Sequence, residues 1–453
     1  MKTKNYTASR GALAFTLTLL LASAALHLAA TAGEAENSQK VKMTSMLSAS
    51  KLQTGKPQSL YLKVSLTGFK QEAETHRTPV NVALVLDKSG SMTGEKLAKA
   101  KEAAIQALSR LRADDIVSVI AYDTTVSVVV PATKMSNRDR IIDQINSIEA
   151  EGNTALFAGV SKGAAEVRKF FDNSRYNHII LLSDGLANVG PSTPAELGDL
   201  GASLIKEGIS VSTLGLGLDY NEDLMAQLSR KSDGNHYFAE TADDLERIFN
   251  RAFGGTLAVV AQDVEIAIDC EPGMRPVRVL GREAMIDGQR VALKLNQIYS
   301  EHEKYVLLEI EAPSGEDKAS RKVATVSVNY LNLMTQEKDS MRQELSVSYT
   351  ADEELALASE DREVMIAVVE QISAEKNLLA MTLRDKGEVE KARELLSSNS
   401  AYLLFNAGRY NSEKLRSIGY DNQSDAENLD PAKYRERRKV IQQRNMQQQM
   451  QTF

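Results

Sequence analysis

The 453-residue chain has one cysteine, Cys270, and no tryptophan. A lone thiol excludes an internal disulfide, so the fold must be held by hydrophobic cores even in an oxidising compartment. Cys270 ends an alternating apolar run, which predicts a buried structural thiol. Histidine is scarce as well: His27, His76, His178, His236 and His302 form no ligand-spaced cluster. There is no excess of positive charge. A formal net charge of -7 argues against nucleic acid as a partner. No Walker-type phosphate loop occurs, and no apolar run beyond the first thirty-odd residues is long enough to span a bilayer.

That first stretch has a pattern of its own. Lys2, Lys4 and Arg10 precede the apolar run Gly11–Ala30, and small residues follow before Gly33. The order matches an export signal over residues 1–32, with an uncleaved anchor as the alternative. The expected location is therefore exported: periplasmic, secreted or in the cell envelope.

Four regions follow. Residues 38–78 alternate as strands, with Leu60, Leu62, Val64 and Leu66 on one face. Residues 79–256 alternate strand and helix. The apolar runs Val82–Leu86, Ile116–Tyr122, His178–Asp184 and Ile209–Gly217 are separated by helical patterns. This predicts an α/β fold, a doubly wound and mostly parallel sheet covered on both faces. Residues 257–350 return to alternation and predict an antiparallel β domain. The strands before Val80 have no parallel partners, so they are expected to complete that domain, leaving the α/β domain inserted in a β-sandwich. Residues 351–420 read as a helical hairpin broken at Gly387. Residues 421–453 are polar and glutamine-rich and are expected to be disordered, with a frayed helix as the alternative. The basic cluster Lys433–Lys439 reads as a solvated helix face of mixed charge, with an acidic partner surface as the alternative.

One stretch is hard to explain as core. "VNVALVLDKSGSM" (Val80–Met92) is a buried-strand pattern ending in Asp87, Ser89 and Ser91. Further on, Thr154 opens a helical pattern, and Asp184 ends another apolar run. In open parallel sheets, ligands bind beyond the carboxyl ends of strands, where both aspartates fall. Five side-chain oxygens without sulfur or imidazole suit a hard cation.

These residues and their order resemble the von Willebrand factor type A domain and its metal-ion-dependent adhesion site. The resemblance covers about Val80–Thr256. It implies that Ser89, Ser91 and Thr154 ligate a divalent ion directly, while Asp87 and Asp184 hold metal-bound waters. The ion would be Mg²⁺, with Mn²⁺ or Ca²⁺ as alternatives. Three neutral ligands would leave it electron-poor, with one position for a partner's Asp or Glu. The implied function is metal-dependent protein binding in adhesion or assembly, without catalytic residues. Two alternatives stand beside it. One is a metal-dependent hydrolase or an accessory subunit of one. The other is a structural envelope protein acting through its β-sandwich or helical tail.

Two short motifs point elsewhere and are set aside. "GVSKG" (Gly159–Gly163) matches a hydrolase nucleophile pattern, but it falls inside the helix that begins near Thr154. "HEKYV" (His302–Val306) lacks the second histidine of a zinc-protease motif.

Overall fold

The computed structural model describes residues 41–70 and 77–451. The expected export segment, residues 1–32, lies outside them. Strands β1 (Val41–Leu47), β2 (Lys51–Gln53) and β3 (Gln58–Gly68) come first. The alternating region supplies β4 (Val80–Asp87), α1 (Glu95–Ser109), β5 (Ile116–Tyr122), β6 (Val126–Lys134), α2 (Arg138–Asn146) and α3 (Leu156–Arg168). It continues with β7 (Tyr176–Ser183), α4 (Pro194–Lys206), β8 (Ile209–Leu216), α5 (Glu222–Lys231), β9 (His236–Ala239) and α6 (Leu245–Leu257). Seven strands follow: β10 (Val259–Cys270), β11 (Arg275–Leu280), β12 (Met285–Asp287), β13 (Arg290–Tyr299), β14 (Glu303–Ala312), β15 (Ser320–Asn332) and β16 (Lys338–Thr350). Helices α7 (Glu353–Ala358), α8 (Arg362–Asp385), α9 (Val389–Arg409), α10 (Glu413–Glu427) and α11 (Pro431–Met450) complete the order.

The α/β region forms one six-stranded sheet in the order β6-β5-β4-β7-β8-β9, parallel except at the β5–β6 pair. Every residue of β4, β7 and β8 is buried. The alternation of side chains explains why. Val82, Leu84 and Leu86 meet Leu97, Ala100 and Ala104 of α1 and Phe249 and Phe253 of α6. Ala83 and Val85 face the other way, toward Val160 and Ala164 of α3 and Leu224 and Leu228 of α5. A strand covered on both faces needs a continuous apolar run rather than an alternating one. The chain direction along the sheet reverses between β4 and β7, which makes their carboxyl ends the topological switch point.

The N-terminal strands pair across the insertion. One sheet runs β1-β3-β14-β11 and the other β12-β13-β10-β15-β16-β2. Leu60, Leu62, Val64 and Leu66 of β3 share a core with Ile266, Ile268, Val326 and Val328 of the facing sheet. The two sheets form a sandwich whose outer β3–β14 face is covered by α8, through Val364, Ala367 and Val368 against Leu307 and Tyr305. Cys270 is a free, buried thiol whose pKa burial pushes up to about 11, so it stays protonated and inert.

Buried ion pairs fix the amino-terminal edge of the parallel sheet to its surroundings. Asp115, just before β5, is clasped by both guanidinium nitrogens of Arg77, and it accepts the Val80 N–H at 2.9 Å and the Arg112 N–H at 2.7 Å. Asp233, just before β9, pairs with Lys304 at 3.1 Å and Arg282 at 3.3 Å, and accepts the Asn296 N–H at 2.7 Å.

The expected disorder is corrected over the described residues up to 451, in favour of the helical alternative: α10 ends at Glu427 and Pro431–Met450 is a packed helix. Asp430 caps it by accepting the Lys433 N–H, and Pro431 opens its first turn. Its buried side is mixed, with Lys439, Asn445, Gln448 and Gln449 beside Tyr434, Ile441, Met446 and Met450. Asn377, Asn399, Asn422 and Asn445, one from each of α8 to α11, hydrogen-bond one another at 2.9–3.3 Å in the interior. The basic cluster is a solvated face only in part: Lys433, Arg435 and Glu436 are exposed, but its inner residues are paired within the chain. Lys439 is 2% exposed and pairs with Glu222, while Arg438 bridges Glu222, Asp223 and Asp385. Farther along the helix, Gln443 accepts the Phe238 N–H of edge strand β9 at 2.6 Å. Among the described residues, no helix is long and apolar enough to cross a membrane.

Candidate metal centre

Asp87 is the last residue of β4, and its carboxylate turns the chain. Oδ1 accepts the Ser89 N–H at 2.8 Å, a local side-chain-to-backbone bond that starts the loop before α1. The loop is stitched to the segment before α3, with Gly90 donating to Gly152 O at 3.0 Å and Glu151 to Lys88 O at 2.8 Å. These bonds bring two distant stretches of sequence to the same strand end.

Four of the five candidate residues lie in direct contact. Ser89 Oγ and Ser91 Oγ are 3.1 Å apart, and Ser91 Oγ donates to Asp184 Oδ1 at 2.6 Å. Asp87 joins them through the Ser89 N–H. Thr154 arrives from the α3 side. Its N–H donates to Asn188 Oδ1 at 2.8 Å, and its carbonyl accepts the Asn188 N–H at 3.1 Å. Gly185 locates its hydroxyl relative to the others. A methyl placed on that glycine would lie 3.3 Å from Ser91 Oγ and 3.4 Å from Thr154 Oγ1. The two hydroxyls therefore flank one small space beside the Gly185 backbone.

The residues present fit a hard cation. Asp87 and Asp184 are both 0% exposed, and such buried carboxylates need positive charge or several donors. Asp87 has donors only: besides Ser89, its Oδ2 accepts Ser183 Oγ at 2.6 Å, with Tyr122 OH at 3.4 Å. Burial pushes its pKa above the ordinary carboxylate value, against the pull of the Ser183 and Ser89 bonds and with help from the Asp184 charge. The rest of the set is neutral hydroxyl. Among the described residues, no group of three or more His, Cys, Asp or Glu side chains gathers as a metal site, so any centre here is hydroxyl-rich. Ser91 and Leu186 are exposed at the mouth, whereas Ser89 and Thr154 are buried.

Three contributing residues carry no signal of their own in the sequence. Ser183 and Tyr122 read as strand residues, and Lys96 as one of several helix lysines. Lys96 Nζ donates to Asp184 Oδ2 at 2.5 Å. Only its place two residues into α1, nine after Asp87, could have suggested it.

The set-aside motifs have structural explanations. Ser161 of "GVSKG" sits within α3, and the two glycines let that helix close onto the sheet. A methyl on Gly159 would meet the Tyr122 ring at 2.8 Å, and one on Gly163 would meet Val85 at 2.7 Å. His302 lies against the Gln451 carbonyl, and Glu303 pairs with Lys63 at 2.9 Å. Burial pulls His178 down to about 3 and His236 to about 4, so both are neutral packed side chains at pH 7.

Comparison with known proteins concerns the domain that carries these residues. Residues 81–251 match the family model of the von Willebrand factor type A domain. The chain is 28% identical over 281 residues to the uncharacterized protein sll0103 of Synechocystis sp., covering 60% of this chain and 66% of that one. It is 31% identical over 170 residues to human inter-alpha-trypsin inhibitor heavy chain H3, covering 36% of this chain and 19% of that one. The matches thus span less than two thirds of these relatives' lengths. Among solved structures, a von Willebrand factor type A protein from Catenulispora acidiphila superposes with a TM-score of 0.68 at 17% identity, covering 84% of this chain and 90% of that one. The ArnB paralog VWA2 from Sulfolobus acidocaldarius gives 0.62 at 18% identity, covering 91% and 98%. These structural likenesses concern the fold. The chain carries a von Willebrand factor type A domain.

Proposed function

We propose that this type A domain is a metal-dependent protein-binding module that captures a carboxylate of a protein partner, and that the chain acts outside the cytoplasm as an adhesion or assembly component rather than an enzyme. Domains of this family commonly mediate metal-dependent protein interaction. The observation that carries the reading is the convergence of Ser91 and Thr154 on the space beside Gly185, with Ser89 and Asp184 in contact with Ser91 and Asp87 joined through Ser89. Ser89, Ser91 and Thr154 would hold the ion, backed by Asp87 and Asp184, with Mg²⁺ first among the candidates and Mn²⁺ or Ca²⁺ as alternatives. A divalent ion there supplies an electrophile to which an incoming Asp or Glu can bind. The chain's own part is to fix the hydroxyls, keep the two carboxylates dry and leave the Gly185 side open.

No general base stands in reach apart from the two carboxylates, and Ser161 has no nucleophile geometry, which weighs against a hydrolase. Export rests on the pattern of residues 1–32.

The deciding experiment is titration calorimetry of the full chain with Mg²⁺, Mn²⁺ and Ca²⁺, alongside Asp87→Asn and Ser89→Ala. Heat with the wild type and a loss of affinity of more than about a hundredfold in Asp87→Asn are expected, since a missing carboxylate costs several kcal/mol of ion stabilisation. Absence of heat with all three ions would overturn the reading. Amino-terminal sequencing of the protein from its native compartment should begin at or near Gly33. An intact Met1 would remove the export proposal.

A further inference from the structure

The metal-centre reading leaves one charge in the neighbourhood unexplained. Lys96 is the second residue of α1, at the positive end of the helix dipole, where carboxylates are stabilised and ammonium groups are not. It is nevertheless held there, with its Nζ 2.5 Å from Oδ2 of the fully buried Asp184. The other oxygen of Asp184 accepts the Ser91 hydroxyl at 2.6 Å. A single carboxylate thus bridges a lysine and the hydroxyl cradle. Lys88, the other nearby lysine, is turned away onto Asp123 and Glu151. Among the described residues, Lys96 is the cation paired with either site carboxylate.

We propose that Lys96 is a built-in counter-cation that competes with the divalent ion for Asp184. Its side chain is one-third exposed, so it can adjust without unfolding α1. The consequence follows from charge. Asp87, Asp184 and Lys96 together carry one net negative charge, and a divalent ion turns the sum to one net positive. Without the lysine, the loaded centre would be neutral. Lys96 therefore weakens the hold on the ion, and it keeps the loaded centre attractive to an anionic partner group. It also neutralises Asp184 when no ion is bound, which spares the fold an unpaired buried charge. Lys96 acts here as a positioning and charge-setting residue and makes no contact with the partner.

The inference rests on the metal-binding reading, and one set of measurements separates their failures. Mg²⁺ alone is titrated into the full chain and into Lys96→Met, Lys96→Gln and Lys96→Arg, and thermal unfolding is followed in EDTA and in saturating Mg²⁺. Both neutral variants should bind Mg²⁺ about tenfold more tightly than wild type, allowing for solvent screening of the lysine. They should also melt at lower temperature in EDTA and recover with Mg²⁺, because binding to the folded state stabilises it by mass action. Lys96→Arg, which keeps the charge, should track the wild type. If the wild type binds Mg²⁺ and the neutral variants bind it equally or more weakly, Lys96 merely positions Asp184 and the counter-cation role is overturned. If the wild type takes up no Mg²⁺, the functional reading falls and takes this inference with it.

Discussion

The parallel sheet ends in buried carboxylates at both edges, and, apart from Asp123, which Lys88 neutralises at the carboxyl edge, the two sets are partnered differently. At the amino-terminal edge, Asp115 is matched by the Arg77 guanidinium, and Asp233 by Lys304 and Arg282. The β-sandwich and the segment leading into β4 close that edge. At the carboxyl edge, Asp87 is met by hydroxyls and an N–H, and Asp184 by a hydroxyl and one partly exposed lysine. One edge has its charges settled within the chain. The other settles Asp123 with Lys88 but leaves Asp87 and Asp184 with a single ammonium between them, at a surface where hydroxyls and a glycine backbone are open to an incoming group. The same residue type, equally buried, is structural at one edge and a candidate for ligand chemistry at the other. The number and charge of its partners make the difference.

The comparison can be broken most directly at the closed edge. Arg77→Met should cost about 3–5 kcal/mol in urea unfolding, because it leaves Asp115 charged and buried. The loss should be the same in EDTA and in Mg²⁺. A loss under about 1 kcal/mol would mean that this edge is no better neutralised than the other.

A pH series sharpens the contrast. Burial, outweighing the attraction of Asp233, pulls Lys304 from 10.5 to about 8. A lysine lowered in the folded state loses its proton there first. The unfolded chain therefore binds more protons between about 8 and 10.5, and stability should rise with pH across that window. Burial pushes Asp233 up, but Lys304, Arg282 and the Asn296 N–H outweigh it and hold the carboxyl below its ordinary range. Its contribution is present above the unfolded-state value of 3.8 and is lost as pH falls through the lowered folded-state value. Chemical denaturation at pH 8 and pH 10, with Lys304→Met as control, checks the alkaline limb. A rise that persists in the variant would assign it to other groups.

The smallest effect is expected at the open edge. Gly185→Ala places a methyl 3.3–3.4 Å from the Ser91 and Thr154 hydroxyls, tight but tolerable. Stability should change by less than about 1 kcal/mol, while Mg²⁺ affinity read by calorimetry should fall several-fold. An unchanged affinity would move the candidate centre away from Gly185.

How far the sequence could be read follows from what stabilises each part. Strands β4, β7 and β8 are legible because full burial demands unbroken apolar runs, and Asp87, Ser89 and Ser91 stand out against them. Thr154 and Asp184 could be named because each falls at the edge of such a pattern. Lys96 and Ser183 could not, since a lysine in a helix and a serine in a strand are commonplace and only tertiary geometry pairs them. The packing of helix α11 is illegible for a different reason. Its interior side mixes Lys439, Asn445, Gln448 and Gln449 with Tyr434, Ile441, Met446 and Met450, so hydropathy gives it no clear apolar stripe. Its order comes in part from long-range pairing, within the chain, of Arg438 and Lys439 with acids more than two hundred residues away.

The insertion of the α/β domain between β3 and β10 dictates an order of assembly. On a ribosome, β1 and β3 emerge early, yet β3 finds its partner β14 only after the whole intervening domain has been made. The α/β domain, whose contacts are mostly internal, can complete itself while those early strands wait with unsatisfied edges, a period of exposure in which aggregation competes with folding.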